Sequence, residues 1–136
     1  MSGKRIFFDT NIFVYAYSMD PRAERAREVL SAGGIVGAQG LNEFATVARG
    51  KLAMSWPETR AAIEGILLVC PDVAPLTREV HQFAVDIAER HGFSFFDSSM
   101  LAAALVSKCD VFFSEDMRHG MTIDGRLRIE NPFRAP

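Results

Sequence analysis

Four acidic residues occur where their carboxylates could share one site: Asp9, Glu43, Asp97 and Asp116. Carboxylates can crowd together only when a cation offsets their repulsion, because like charges raise one another's pKa. A group of oxygen ligands without histidine favours a hard cation such as Mg²⁺ or Mn²⁺. A divalent ion held in this way can activate water and stabilise a leaving oxygen at phosphorus. The residue types therefore indicate hydrolysis of a phosphodiester, without any nucleophilic side chain.

The elements predicted around these acids place them on one rim of a sheet. The first predicted strand ends at Asp9, and Asp116 lies two residues beyond a strand predicted at 110–114. We expect Asp97 at the N-terminus of a helix, where the helix dipole stabilises a carboxylate by roughly 0.3–1 kcal/mol. We expect Glu43 in the first turn of the helix that follows the second strand. Parallel sheets bind ligands beyond the carboxyl ends of their strands, so this rim is the predicted site.

Short apolar segments alternate with longer amphipathic ones along the chain. Asp20 and Pro21 are interpreted as the N-cap and first position of one helix. Ser55 with Glu58 is interpreted as a capping box, and Thr77 as a further cap. The predicted strands are 5–9, 35–38, 72–76, 110–114 and 126–129, and the helices are 11–18, 20–32, 40–52, 56–69, 78–91 and 96–108. This alternation predicts an α/β fold, with a parallel sheet of about five strands between helices, in one domain over 1–136.

Composition and charge limit the classes of function. The 136 residues are 49% hydrophobic and 24% charged, which is typical of a folded globular domain. The net charge of −2 argues against a passive nucleic-acid-coating protein, which would usually be basic. No apolar run is long enough for a signal peptide or a membrane span, so a cytoplasmic protein with no membrane contact is expected. Cys70 and Cys109 are predicted to be reduced residues in or near the core.

Four short motifs, in order along nearly the whole chain, resemble those of PIN domains. Asp9-Thr10-Asn11 after an apolar strand resembles the family's opening motif. Leu41-Asn42-Glu43-Phe44, the segment beginning Phe96-Asp97-Ser98, and Ser114-Glu115-Asp116-Met117 resemble the segments of its second, third and fourth acids. The stretch from 119 to 133 is similar to the tail of the VapC-type toxin branch. Each motif is weak alone, but their order and distances together are fairly specific.

The resemblance implies a three-layer PIN-like fold and a Mg²⁺- or Mn²⁺-dependent endoribonuclease acting on RNA. It also implies a homodimer that is silenced by a cognate VapB-like antitoxin. The four acids carry over as ligands of the metal or of its bound water, and therefore as the catalytic residues. Thr10 and Ser114 carry over as hydroxyls that orient carboxylates or water. Asn11 matches the opening motif, although a helix cap is an equally good interpretation.

Other functions and residues stay open at this point. An aspartyl-phosphate phosphatase would use Asp9 as nucleophile, but it expects a second acid at the position of Asn11. A receiver domain would need a further acid pair and a lysine that we cannot place. A non-catalytic PIN-like scaffold that binds RNA or protein is the main alternative, and metal affinity would distinguish it. Glu115 and Asp124 are further acids near the predicted rim, and His119 lies in a glycine-containing loop; the sequence assigns none of the three a role.

Overall fold

The computed structural model describes residues 3–134, which contain six strands and six helices. The strands are β1 (Ile6–Phe8), β2 (Ile35–Gly37), β3 (Asp72–Ala74), β4 (Val111–Phe113), β5 (Thr122–Ile123) and β6 (Leu127–Glu130). The helices are α1 (Thr10–Ala16), α2 (Ala23–Ser31), α3 (Ala38–Arg49), α4 (Trp56–Val69), α5 (Arg78–His91) and α6 (Phe95–Val106).

The strands form one sheet in the order β3-β2-β1-β4-β6-β5. Five neighbouring strands run parallel, as predicted, and β5 pairs antiparallel with β6. From β1 the chain builds the sheet outward on one side through β2 and β3, and then crosses to β4 on the other side. The order of strands therefore reverses between β1 and β4, which is where parallel sheets place ligands.

Strand residues alternate between the two faces of the sheet, and each face supports its own core. Phe7 and Phe112 stack at a centroid distance of 5.4 Å on the face covered by α5 and α6. Phe8 lies on the opposite face with Phe13 and residues of α1 to α4. Burying each such side chain contributes roughly 1.5–3 kcal/mol to folding. The result is the predicted three-layer α/β arrangement, with the sheet between two layers of helices.

Local signals in the sequence fix several helix ends. The Ser55 hydroxyl accepts from the Glu58 N–H, and the Glu58 carboxylate accepts from the Ser55 N–H, which confirms the predicted capping box. The Thr77 hydroxyl accepts from the backbone of Val80 and caps α5. Gly92, at φ +76°, ends α5 in the left-handed conformation that suits glycine.

Two predicted helix starts are wrong. Helix α2 begins at Ala23 rather than Pro21, because the Asp20 carboxylate accepts from the backbone and the guanidinium of Arg22 and forms a turn before the helix. Helix α3 begins at Ala38, directly after β2, so Glu43 is its sixth residue and lies in the second turn rather than the first.

Within residues 3–134, no helix has both the length and the apolar character needed to cross a bilayer. Cys70 and Cys109 are buried and unbridged, as the sequence predicts.

Candidate functional site

A cleft of about 620 Å³ lies beyond the carboxyl ends of β1 and β4, at the reversal of strand order. All four predicted acids line it. The other lining residues are Thr10, Asn11, Gln39, Asn42, Thr46, Val47, Leu76, Phe96 and Met100. The set contains no lysine, arginine or histidine among the residues that the structure describes. The cleft therefore combines four carboxylates with neutral amides and hydroxyls, and lacks a basic side chain to offset their charge.

Asp9 follows β1 directly and caps α1, which makes it the most enclosed of the four acids. Its carboxylate accepts from the Ser114 hydroxyl at 2.8 Å and from the Thr10 N–H at 2.7 Å. Only 5% of the residue is exposed. Burial raises its pKa to about 7, and the charges of Asp97 and Asp116 add to that rise, while the bond from Ser114 opposes it. A nearby cation would favour the ionised form that burial disfavours.

Glu43 lies one turn into α3 and reaches the cleft between two neutral donors. Its Oε1 accepts from the Thr10 hydroxyl at 2.9 Å, and its Oε2 accepts from the Gln39 side chain at 3.1 Å. Gln39 also donates to the backbone carbonyl of Phe96 at 3.3 Å, which ties the start of α3 to α6. The Thr10 hydroxyl therefore contacts one of the four carboxylates of the cleft.

Asp97 lies in the first turn of α6, as predicted, where Ser94 caps the helix. The Ser94 hydroxyl accepts from the Asp97 N–H at 3.1 Å. The Asp97 side chain is half-buried, and its pKa is raised by this burial, with further contributions from the charges of Asp116 and Glu43. Asp116 and Glu43 are therefore each within electrostatic range of Asp97.

Asp116 is the exposed member of the group, in the segment that follows β4. Its Oδ2 accepts from the Asn11 side chain at 2.7 Å. Two residues earlier, the Ser114 hydroxyl donates to Asp9 and accepts from the Met117 N–H at 3.3 Å, so it joins this segment to β1. The Asn11 side chain thus donates to Asp116 and does not cap α1, whose cap position is occupied by Asp9.

Within residues 3–134, no three acidic, histidine or cysteine side chains are already grouped closely enough to hold a metal ion. The carboxylates of Asp9, Glu43 and Asp116 accept instead from the neutral donors of Thr10, Asn11, Gln39 and Ser114. Mutual repulsion favours such separation when nothing offsets it. The donor set is still the one that a hard divalent cation requires, namely oxygen ligands on one cleft with no competing basic side chain. The residues present therefore fit Mg²⁺ or Mn²⁺.

Three polar residues that the sequence left open make contacts outside the cleft lining. The His119 Nδ1 accepts from the backbone of Asn131 at 3.0 Å. Asp124 forms an ion pair with Arg90 at 2.8 Å. Glu115 accepts from Arg22, and also from Tyr15, whose pKa rises to about 12 through burial and this bond.

Sequence reasoning missed part of the cleft wall. Gln39, Asn42 and Thr46 line it from α3. They lie four residues before, one before and three after Glu43, and the first and last of these spacings return to the same helical face. Helical spacing around Glu43 could have identified them, whereas the contribution of Leu76 depends on the fold and has no signal in the sequence.

Comparisons with known proteins agree with this geometry. The family model of the PIN domain matches residues 6–120, which include all four acids. No curated protein sequence matches the chain. A toxin–antitoxin complex from Klebsiella pneumoniae superposes with a TM-score of 0.71 at 17% identity, covering 96% of this chain and 99% of that one.

Two further solved structures show the same fold. DNA-bound VapBC from Salmonella typhimurium has a TM-score of 0.70 at 20% identity, with 96% of this chain and 99% of that chain covered. The sarcin-ricin loop cleaving toxin VapC20 of Mycobacterium tuberculosis has a TM-score of 0.65 at 20% identity, covering 82% of this chain and 91% of that one. The family model spans far more than half of the sequence, and the chain belongs to the PIN domain family.

Proposed function

We propose that this protein is a divalent-metal-dependent endoribonuclease and the toxin of a toxin–antitoxin pair in the cytoplasm. The observation that carries the proposal is the convergence of Asp9, Glu43, Asp97 and Asp116 on one cleft of a PIN domain. Solved relatives support it, because they include a toxin–antitoxin complex and a sarcin-ricin loop cleaving toxin. An aspartyl-phosphate phosphatase is not favoured, since Asn11 occupies the position of its second acid and donates to Asp116.

The four acids share one role in the proposed reaction, and Asp9 and Asp116 differ most in their exposure. The four carboxylates would hold Mg²⁺ or Mn²⁺, which supplies an activated water and charge stabilisation for the leaving oxygen. Asp9, enclosed and doubly hydrogen-bonded, would be the fixed ligand, and the exposed Asp116 would be the ligand nearest to solvent. Thr10, Ser114 and Asn11 would hold Glu43, Asp9 and Asp116 at their present angles, as outer contacts of metal ligands commonly do.

RNA itself would meet neutral groups in the cleft. Asn42 and Thr46 are exposed on α3 and can hydrogen-bond to a sugar or base. The described residues that line the cleft include no basic side chain that could bind the negatively charged phosphate. Approach of the phosphate would therefore depend on the positive charge of the cation held by the four acids.

The first test is cleavage of a mixed RNA substrate by the wild-type protein and by Asp97→Asn, with Mn²⁺, with Mg²⁺ and with chelator. Wild-type cleavage should require metal. Asp97→Asn keeps the shape of the side chain but removes a ligand charge, and the loss of several kcal/mol of stabilisation should lower activity roughly 10²-fold or more. Asp86→Asn, on the exposed face of α5 and outside the cleft lining, is the matched control and should cleave normally.

Full activity in a folded Asp97→Asn variant would remove that residue from the mechanism. If the wild-type protein cleaves no RNA under any metal, calorimetric titration with Mn²⁺ separates the remaining cases. Binding of Mn²⁺ that is weakened in Asp97→Asn indicates a nuclease with a narrow substrate. No binding of Mn²⁺ indicates the alternative, a non-catalytic scaffold for RNA or protein.

The proposal includes a homodimer and a cognate VapB-like antitoxin, both implied by the family resemblance. The toxin–antitoxin complexes among the solved relatives support the antitoxin. Light scattering of the purified protein should give twice the mass of the chain. A monomer at every working concentration would contradict the dimer, and the antitoxin would be sought by co-purification with the product of an adjacent gene.

A further inference from the structure

A compact polar cluster lies beside the cleft and involves none of its lining residues: Tyr15, Arg22 and Glu115, supported by Asp20. The Tyr15 hydroxyl and the Arg22 Nη1 donate to different oxygens of Glu115, the second at 2.6 Å. The Arg22 guanidinium also lies over the Tyr15 ring, 4.2 Å from its centroid. Both oxygens of Glu115 are therefore engaged, and this carboxylate does not join the four acids in the cleft.

The cluster is more constrained than an ordinary surface ion pair. Arg22 donates to Asp20 through Nε and Nη2, both at 2.8 Å, and these two bonds fix the guanidinium in the orientation that presents Nη1 to Glu115. The Glu115 side chain is only 21% exposed. A single exposed pair contributes little, but a network in which Arg binds with a fixed planar geometry positions its partners. The Tyr15 ring is itself held by an edge contact with Phe133 at 5.4 Å.

The position of Glu115 in the chain gives the cluster its importance. Glu115 lies between Ser114 and Asp116, in a segment with neither helix nor strand. Asp116 is exposed, and the Asn11 side chain is the donor that the structure gives its carboxylate. Asn11 and Tyr15 are four residues apart, and therefore on the same face of α1. One face of α1 thus holds two consecutive side chains of the segment.

We propose that Tyr15, Arg22 and Glu115 are positioning residues, which fix the backbone of 114–117 so that Asp116 is held at the cleft for metal binding. This inference rests on the proposed function for its metal-binding part. The Asp116 carboxylate has one side-chain contact, from Asn11, to fix its position. Releasing the neighbouring Glu115 would let the segment 114–117 adopt other conformations. Because the cluster already orders the segment 114–117, metal binding has less conformational entropy to remove. Loss of the cluster therefore weakens metal binding without removing any ligand.

The test uses Tyr15→Phe, Glu115→Gln and the double variant. Tyr15→Phe deletes one hydroxyl and keeps the ring packed on Phe133, and Glu115→Gln keeps size while removing the charge that Arg22 binds. Arg90→Gln is the matched control, since it breaks the ion pair with Asp124 outside the cleft lining. Three quantities are measured on the full chain: hydrogen exchange of the peptide covering 114–117 without metal, Mn²⁺ affinity by electron paramagnetic resonance, and the melting temperature in chelator.

Both single variants should exchange faster at 114–117, where the Met117 N–H is protected by Ser114. Mn²⁺ affinity should fall about 10-fold, the range seen when outer contacts of metal ligands are lost. The double variant should lose little more than either single one, because both act on the same segment. The melting temperature should change no more than it does in Arg90→Gln, which separates positioning from general destabilisation.

Normal exchange and unchanged Mn²⁺ affinity in both single variants would overturn the inference while leaving the nuclease proposal intact. A fall in affinity matched by an equal fall for Arg90→Gln would also overturn it. If the wild-type protein binds no Mn²⁺, the proposed function fails, and faster exchange at 114–117 would then still support the structural part of the inference. Equal exchange in all the proteins would overturn that part too.

Discussion

At the scale of single residues, Asp9 has an environment that opposes its charge. Its carboxylate is almost fully buried at the end of a central strand, and it lies within the electrostatic influence of two other acids. A position chosen for stability alone would favour a neutral side chain there. Enclosing an acid at this point is a stability cost that a bound cation would offset, which is typical of functional sites.

Replacing Asp9 with asparagine should therefore stabilise the metal-free protein at neutral and alkaline pH. The folded-state pKa is about 7, against 3.8 for the ordinary side chain. Between about pH 4 and pH 7 the carboxyl stays neutral in the folded protein while it ionises in the unfolded chain. The contribution of the neutral carboxyl to folding stability is therefore fully present below pH 4. That contribution is lost as the pH rises through 7. At about 1.4 kcal/mol per unit of pKa, the cost at pH 8 is on the order of 4 kcal/mol.

Urea unfolding of the wild-type protein and Asp9→Asn in chelator, from pH 4 to pH 8, measures this effect. The variant should be more stable at pH 8 by a few kcal/mol. It should have no advantage at pH 4, where the amide also loses one of the two acceptor contacts. Asp86→Asn, with an exposed carboxylate on α5, is the control and should show no such trend. A pH-independent difference between the wild-type protein and Asp9→Asn would mean that ionisation of Asp9 is not the cause.

The residue scale also shows which parts of the site could be predicted. Asp9 and Asp116 follow the ends of apolar segments, and an acid in that place is visible in the sequence. Their partners are less visible, because Asn11 reaches Asp116 across 105 positions and Ser114 reaches Asp9 across the same distance. The parallel pairing of β1 with β4 brings both pairs together, and the roles expected of Asn11 and Ser114 follow from the family resemblance alone.

At the scale of elements, a helix or strand could be predicted from the sequence when the contacts that stabilise it lie close together along the chain. The capping box at Ser55 and the cap at Thr77 act within one turn, and both helix starts were predicted correctly. Asp20-Pro21 has the same local signal, but Arg22 competes for the Asp20 carboxylate and the helix starts later. Strand β5 has only two residues and depends on pairing with β6. It is too short to show an alternation of apolar and polar residues, so the sequence does not predict it.

Close packing between strands is another element property that the sequence conceals. A β-carbon on Gly34 would lie 2.5 Å from the Phe8 ring and 2.7 Å from the Ile6 carbonyl. At Gly37 it would lie 2.9 Å from the Phe7 ring. The two glycines at the ends of β2 thus allow β1 to approach with its large aromatic side chains. In the sequence, Gly33-Gly34 only indicates the end of a helix, because the approach of β1 depends on the order of the strands.

At the scale of the whole molecule, the distribution of charge determines how RNA can approach. The net charge of the chain is only −2, but four carboxylates line the cleft, with no basic side chain among its described lining residues. At physiological ionic strength the screening length is about 8 Å, so the local acids outweigh distant charges. The proposed substrate is a polyanion, and its binding should therefore depend on cations in the cleft even before cleavage occurs.

Fluorescence anisotropy with a labelled RNA, read before cleavage proceeds and checked on a gel for intact substrate, tests this dependence. The wild-type protein should bind weakly in chelator and more tightly with Mn²⁺. Asp97→Asn should bind better than the wild-type protein in chelator, because each removed charge relieves about 1 kcal/mol of repulsion, or roughly fivefold in affinity. The same variant should gain less from Mn²⁺. Asp86→Asn changes the net charge equally but lies outside the cleft lining, so it should resemble the wild-type protein.

The comparison between the two variants distinguishes local from global charge. If Asp86→Asn improves binding in chelator as much as Asp97→Asn does, overall charge governs the encounter and the acidic cleft has no special part in it. If the wild-type protein binds equally well with and without Mn²⁺, the phosphates avoid the cleft. RNA would then lie on another surface, as expected for a scaffold. A gain confined to Asp97→Asn places the polyanion against the four carboxylates, where the bound cation must reverse their field before a phosphodiester can enter.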